Sequence, residues 1–198
     1  GSGGAFKIYT PFWRALAAHM PPPSPLSAPS AISAPENWPE SDALDDWNLL
    51  PTRPDWAEGM RGFWTPGEAG AKARLDDFVD RAARYNEDRN LPSINGTSFL
   101  SPHLHFGEIS PATCWHATMR AGGSVEVFLK ELVWRDYGMN VITQYPDYGS
   151  KNARDAFDRL PWRDLADPAV AAELKAWQQG RTGYPIVDAG MRELWATG

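Results

Sequence analysis

Only one cysteine, Cys114, occurs in the 198 residues, so no internal disulfide can form and a reducing compartment is expected. Long apolar runs are missing as well. Neither a transmembrane span nor a signal peptide is visible, and the 42% hydrophobic content fits a soluble, globular, cytoplasmic protein. The four histidines and the cysteine show no metal-ligand spacing. His103 and His105 are two apart and would point to different faces of a helix, so no metal is expected. Basic excess is lacking too: 19 Lys and Arg face 25 Asp and Glu, a net charge of -6. That argues against a sequence-wide electrostatic grip on nucleic acid and leaves room only for a local basic patch.

Tryptophan is plentiful, with ten in the chain, and most of them suit large core positions. Phe6–Tyr9 alternates like a strand, and Thr10-Pro11 opens a helix to about His19. Met20–Glu40 is dense in Pro, Ser and Ala and reads as an extended linker. The segment from Ser41 to Phe63 reads as irregular chain pinned to a core by Trp47, Trp56 and Trp64. Helices follow. Thr65-Pro66-Gly67-Glu68 has the form of a capping box, and Ala71, Leu75, Phe78, Val79 and Ala82 make one apolar face of a helix running to about Tyr85. Further helices are expected over Ser110–Met119, Val125–Ile142, from an Asp167-Pro168 cap to Gly180, and from Pro185 onward. Val187, Gly190, Met191 and Leu194 share a face of the last, and Gly190 there would allow close approach of a neighbour. The pattern is mainly α.

Two stretches could carry chemistry. In Asn95–Pro111 (NGTSFLSPHLHFGEISP), Gly96 permits a tight turn, and Thr97, Ser98 and Ser101 gather hydroxyls. Ser101-Pro102 and Ser110-Pro111 each look like an N-cap followed by proline at the first helical position, separated by the helix breaker Gly107. Such a segment suits an anion such as phosphate, and it equally suits two ordinary capped helices; the residues alone leave both readings open. On the helix from Val125, Glu131, Trp134 and Arg135 share one face, while Phe128, Leu129, Leu132 and Val133 supply the apolar stripe. The trio either lines a cavity or is an exposed ion pair beside a core tryptophan. Lys151, Arg154, Arg159 and Arg163 form a locally basic stretch. Asp155 and Asp158 interleave, so a solvated loop and a phosphate contact both fit.

Thr97-Ser98, Leu100-Ser101-Pro102, Leu104, Phe106-Gly107 and Ser110-Pro111 together resemble the opening of the flavin-binding domain in the DNA photolyase/cryptochrome family. Phe128–Asp136 (FLKELVWRD), Leu160–Asp164 (LPWRD) and Trp177–Gly190 (WQQGRTGYPIVDAG) match in order. The likeness is to class I cyclobutane pyrimidine dimer photolyases. It implies a helical FAD-binding domain, incomplete here, with a remnant strand of an N-terminal α/β antenna domain. Residues 1–19 would be the tail of that domain, 20–64 the interdomain linker and 65–198 the first half of the flavin domain. The opening Gly1–Gly4 would be native loop or cloning residue.

The resemblance also implies roles. Tyr85, Thr97, Ser98, Phe99, Leu100, Ser101, Phe128 and Arg135 would contact FAD. Phe99 stands where many relatives carry arginine, which removes one cationic contact, and Phe128 stands where some carry tryptophan. Arg89, Glu131, Trp134, Arg135 and Gly138 would contact damaged DNA. Glu131 and Trp134 would face a flipped-out pyrimidine dimer, and Trp162 would stand at the outer end of an electron-relaying tryptophan chain whose inner members are not in this sequence. A folate or deazaflavin antenna chromophore would bind outside this chain. The expected activity, in full-length form, is that of a deoxyribodipyrimidine photo-lyase, a monomer acting on dimer-containing DNA, with the isolated fragment inactive. The isolated piece is expected to bind FAD weakly or not at all. A cryptochrome-type light receptor, a (6-4) photolyase and a non-enzymatic helical interaction module are the alternatives.

Overall fold

The computed structural model describes residues 5–198; the expectation for the opening glycine-rich residues lies outside them. Nine α-helices follow one another among the described residues: α1 (Tyr9–Ala17), α2 (Glu58–Phe63), α3 (Glu68–Val79), α4 (Tyr85–Asp88), α5 (Ser101–His105), α6 (Pro111–Ala121), α7 (Glu126–Gln144), α8 (Pro168–Gln178) and α9 (Pro185–Thr197). Short 3₁₀ turns occur at Leu44–Trp47, Ala82–Arg84 and Asp155–Arg159. None of these helices is long and apolar enough to cross a membrane. The chain divides into two compact units, one of residues 1–27 and 66–159, the other of residues 28–65 and 160–198.

In the first unit the core is built from the apolar faces of α3, α6 and α7. Ala71, Leu75, Phe78 and Ala82 are buried as the helical period predicts, and so are Phe128, Leu129, Leu132 and Val133 of α7. Phe78 lies 4.4 Å from Phe128 and 5.7 Å from Tyr85, ring centre to ring centre, and Tyr85 meets Phe128 edge-on at 5.4 Å. Cys114 is fully buried on α6, and desolvation pushes its thiol up to about 11. His103 is buried on α5 with Nδ1 2.5 Å from the Glu108 carboxylate. Hydrogen bonds from His103, and from the Gly67 backbone, hold that carboxyl below its ordinary range.

Several local expectations are corrected. No strand occurs among the described residues. Phe6–Ile8 has no neighbouring strand to pair with; its Phe6 carbonyl instead accepts from the Asn140 and Gln144 amides of α7, each at 2.9 Å, and helix begins at Tyr9. The capping box does not form. Gly67, at φ 96°, takes the N-cap of α3, and no side chain caps that end. Ser101 is not an N-cap either, because Leu100 holds that position and Ser101 is the first helical residue. Ser110 does cap α6, accepting from the Thr113 N–H at 3.0 Å. The α3 helix stops at Val79 instead of continuing to Tyr85, and Arg81 leaves helical geometry at the break.

In the second unit α9 packs against α2 and α8. A β-carbon on Gly59 would lie 2.5 Å from the Ala196 carbonyl oxygen, so only glycine permits this approach of α2 to α9. Gly190, by contrast, has no described atom near the place its β-carbon would occupy. Trp64 donates its indole N–H to the Thr197 carbonyl, but Trp47 and Trp56 are more than half exposed and are not buried anchors. Asp167 caps α8 through the Ala169 N–H, as its Asp-Pro pair predicts. The loop before α9 is organised by Asp188, whose carboxylate accepts from the Thr182 N–H at 2.7 Å, the Thr182 hydroxyl at 2.6 Å and the Gly183 N–H at 3.0 Å.

Two measurements check this account. Phe78→Ala removes the ring common to two aromatic contacts and is expected to lower stability in urea denaturation by about 3–5 kcal/mol. The Thr182 hydroxyl, above all, holds the Asp188 carboxyl below its ordinary range, so its stabilisation is complete above the unfolded carboxylate range and is lost as pH falls through the folded value. Hydrogen-exchange protection of the Thr182 and Gly183 amides should therefore drop on acidification, and should be low at every pH in Asp188→Ala.

Candidate flavin and lesion site

Every residue discussed in this section except Trp162, Arg163 and Glu173 belongs to the first unit. The bend before α5 depends on Gly96. A β-carbon there would lie 2.1 Å from the Asp88 carbonyl oxygen, so the turn sits directly on the end of α4. The Arg81 guanidinium, released by the break after α3, donates to the Asn95 carbonyl at 2.7 Å and the Thr97 carbonyl at 2.9 Å. Within the bend, the Ser98 hydroxyl accepts from the Leu100 N–H at 3.4 Å, Leu100 is fully buried, and the Thr97 and Ser101 side chains are exposed. Phe99 adopts φ 54°, a left-handed conformation uncommon for an aromatic residue, and the Arg74 guanidinium lies 5.7 Å from its ring centre.

Facing residues come from α4 and α7. Tyr85 is buried against Phe128, and the Arg89 guanidinium sits 5.2 Å over the Tyr85 ring. Arg89 also forms an ion pair with Glu131, both groups about one-third exposed. That hydrogen bond strengthens the hold of Arg89 on its proton. Burial, and secondarily the Glu131 charge, raise the Tyr85 phenol, with Arg89 opposing. One turn along α7, Trp134 stacks on Tyr9 with ring centres 3.7 Å apart. Arg135 is exposed but donates one N–H to the Leu104 carbonyl at 3.0 Å, tying α7 to the helix that follows the bend. Gly138 lies one turn beyond Trp134.

The fold thus brings Tyr85, Arg89, Phe128 and Glu131 into one cluster and links Arg135 to α5, the helix Ser101 begins. Trp162, 67% exposed, belongs to the second unit. In the basic stretch, Lys151 pairs with Asp147 at 2.8 Å and Arg163 with Glu173, which favours the solvated-loop reading. Sequence reasoning missed Tyr9, Arg74 and Arg81. Tyr9 falls in a stretch whose alternation predicts a strand, and nothing local marks the other two, because their partners lie in a distant loop.

The donor set fits a dinucleotide. The exposed hydroxyls at Thr97 and Ser101 suit phosphate oxygens, and among the described residues Arg135 donates to the Leu104 carbonyl with one of its five N–H groups.

Comparison with known proteins agrees with that chemistry. Residues 128–198 match the family model described as the FAD binding domain of DNA photolyase. A deoxyribodipyrimidine photo-lyase from Agrobacterium fabrum is 48% identical over 203 residues, covering all of this chain and 41% of the relative. Cryptochrome-1 of Arabidopsis thaliana is 34% identical, covering 99% of this chain and 30% of that protein. The crystal structure of a bacterial class III photolyase from Agrobacterium tumefaciens superposes with a TM-score of 0.89 at 47% identity, covering 100% of this chain and 41% of that one. The chain belongs to the DNA photolyase/cryptochrome family and spans about two-fifths of the length of the photo-lyases it matches.

Replacing Gly96 by alanine tests the bend. The added methyl group collides with backbone, so Gly96→Ala is expected to cost at least about 2 kcal/mol in urea denaturation.

Proposed function

We propose that this chain supplies part of the flavin and lesion pocket of a DNA photolyase that splits cyclobutane pyrimidine dimers in light. The observation that carries the reading is the convergence on Glu131 and Trp134 of α7 of two other elements, α4 through Arg89 and α1 through Tyr9. Thr97, Ser98, Phe99, Leu100 and Ser101 would hold the phosphates and ribose of FAD, with Tyr85, Phe128 and Arg135 beside them. Reduced FAD, when bound, supplies the light-driven electron that enters the dimer and is recovered after the ring opens.

The chain's own residues position the lesion and stabilise charge. Trp134 offers an aromatic face to an unstacked pyrimidine. The Glu131 carboxyl hydrogen-bonds the base and steadies charge developing on it. Arg89, now paired with Glu131, and Gly138 would contact the DNA strand, with Arg89 exchanging its carboxylate partner for a phosphate. Trp162 would relay electrons. Residues 1–19 would close an antenna domain, 20–64 would link it, and 65–198 would be the first half of the flavin domain. A monomer in the cytoplasm fits this reading. The 47% identity to a protein described as class III favours that class over class I.

A cryptochrome-type receptor is the second reading, favoured by the 34% identity to Cryptochrome-1. Repair of a thymine-dimer oligonucleotide by the flavin-loaded protein separates the two: light-dependent loss of dimers supports a photolyase, and photoreduction without repair supports a receptor. A (6-4) lesion substrate serves as the control for lesion type. Glu131→Ala should reduce the repair quantum yield by about tenfold. An unchanged yield removes Glu131 from the scheme.

A further inference from the structure

Tyr9 and Trp134 are parallel within 6°, with ring centres 3.7 Å apart. Two further contacts hold Tyr9 in place. Its hydroxyl donates to the Lys130 carbonyl at 3.2 Å, and the Tyr137 ring meets it edge-on at 5.7 Å. Tyr137 also meets the edge of Trp134 at 5.5 Å and packs on Phe12 of α1. One face of the indole is therefore covered by a phenol, and one edge by a second. Yet Trp134 remains 45% exposed. Stacking covers the Tyr9 side, so that exposure belongs to the rest of the residue. Aromatic packing that served the core alone would bury the indole on both sides, as it buries the Phe78 and Phe128 rings. An indole fixed on one face and exposed elsewhere can serve as a stacking surface. Glu131 is a near neighbour: its charge, after desolvation, helps raise the Tyr9 phenol.

We infer that Tyr9 is a positioning residue, backing Trp134 so that the open indole face receives an unstacked pyrimidine in a three-layer stack of base, indole and phenol. The inference rests on the reading of Trp134 as the base platform. Holding the indole in one orientation before the base arrives avoids ordering it on binding. The offset or parallel stacking preference of aromatic rings then transmits the orientation of Tyr9 to the base.

The test is the dark-state Kd of the flavin-loaded protein for a thymine-dimer oligonucleotide, against the undamaged oligonucleotide of the same sequence. Darkness separates binding from photochemistry. Trp134→Ala should lose about tenfold in dimer affinity. Tyr9→Ala and the volume-keeping Tyr9→Leu should each lose about fivefold, and Tyr9→Phe, which keeps the ring, should stay within about twofold. The double variant Tyr9→Ala/Trp134→Ala should be no weaker than Trp134→Ala, because Tyr9 acts only through the indole. Near-UV circular dichroism should show the coupled Tyr–Trp signal in the parent and Tyr9→Phe proteins and its loss in Tyr9→Leu, with unchanged helix content. Parent-like affinity in both Tyr9→Ala and Tyr9→Leu, alongside a weakened Trp134→Ala, overturns the positioning role and leaves the platform reading standing. An additive loss in the double variant also overturns it. Unchanged affinity in Trp134→Ala overturns the platform reading, and the inference with it.

Discussion

Everything at the candidate site hangs on the contact of Phe78, Tyr85 and Phe128. These rings come from α3, α4 and α7, and each touches both of the others. Burying an aromatic side chain stabilises by a few kcal/mol, and the tilted and edge-on pairings add about 0.5–1.5 kcal/mol each. Once Phe128 is seated, the helical period puts Glu131, Trp134 and Arg135 along the side of α7 that faces α4, α1 and α5. Seating Tyr85 sets Arg89 one turn later, within reach of Glu131. The polar groups are thus placed by apolar packing that they do not themselves make.

Polar contacts then refine what packing begins. Arg81 holds the Asn95–Thr97 backbone by satisfying two carbonyls, and Gly96 allows that backbone to rest on α4. Arg135 does the same for the end of α5. The Arg89–Glu131 pair is half-way to solvent, and such pairs contribute at most about 1 kcal/mol to stability. Its significance is geometric. The Arg89 guanidinium lies over the Tyr85 ring while Glu131 balances its charge. The net acidic chain pairs Lys151 and Arg163 with nearby carboxylates, and Arg74 lies near the Phe99 ring in the bend.

The helical elements were legible from periodicity and punctuation. The apolar face of α3, the stripe of α7, the Ser110 cap and the Asp167 cap stand where spacing put them. Helix ends were less legible. Thr65 and Ser101 have the right chemistry for capping, but Gly67 and Leu100 took those positions, because local propensity of a few tenths of a kcal/mol yields to the path that packing requires. The alternation of Phe6–Tyr9 could not make a strand without another strand beside it.

By itself the sequence determined the mainly helical class, the family motifs and the co-facial Glu131, Trp134 and Arg135, since these depend on periodicity and on residue order along one helix. Tertiary structure alone decided that Tyr9 stacks on Trp134, that Arg89 pairs with Glu131 and that Arg81 clasps the Thr97 bend. Those contacts join residues separated by 125, 42 and 16 positions. Nothing in a local pattern encodes such pairs; they arise when separate helices share one buried aromatic centre.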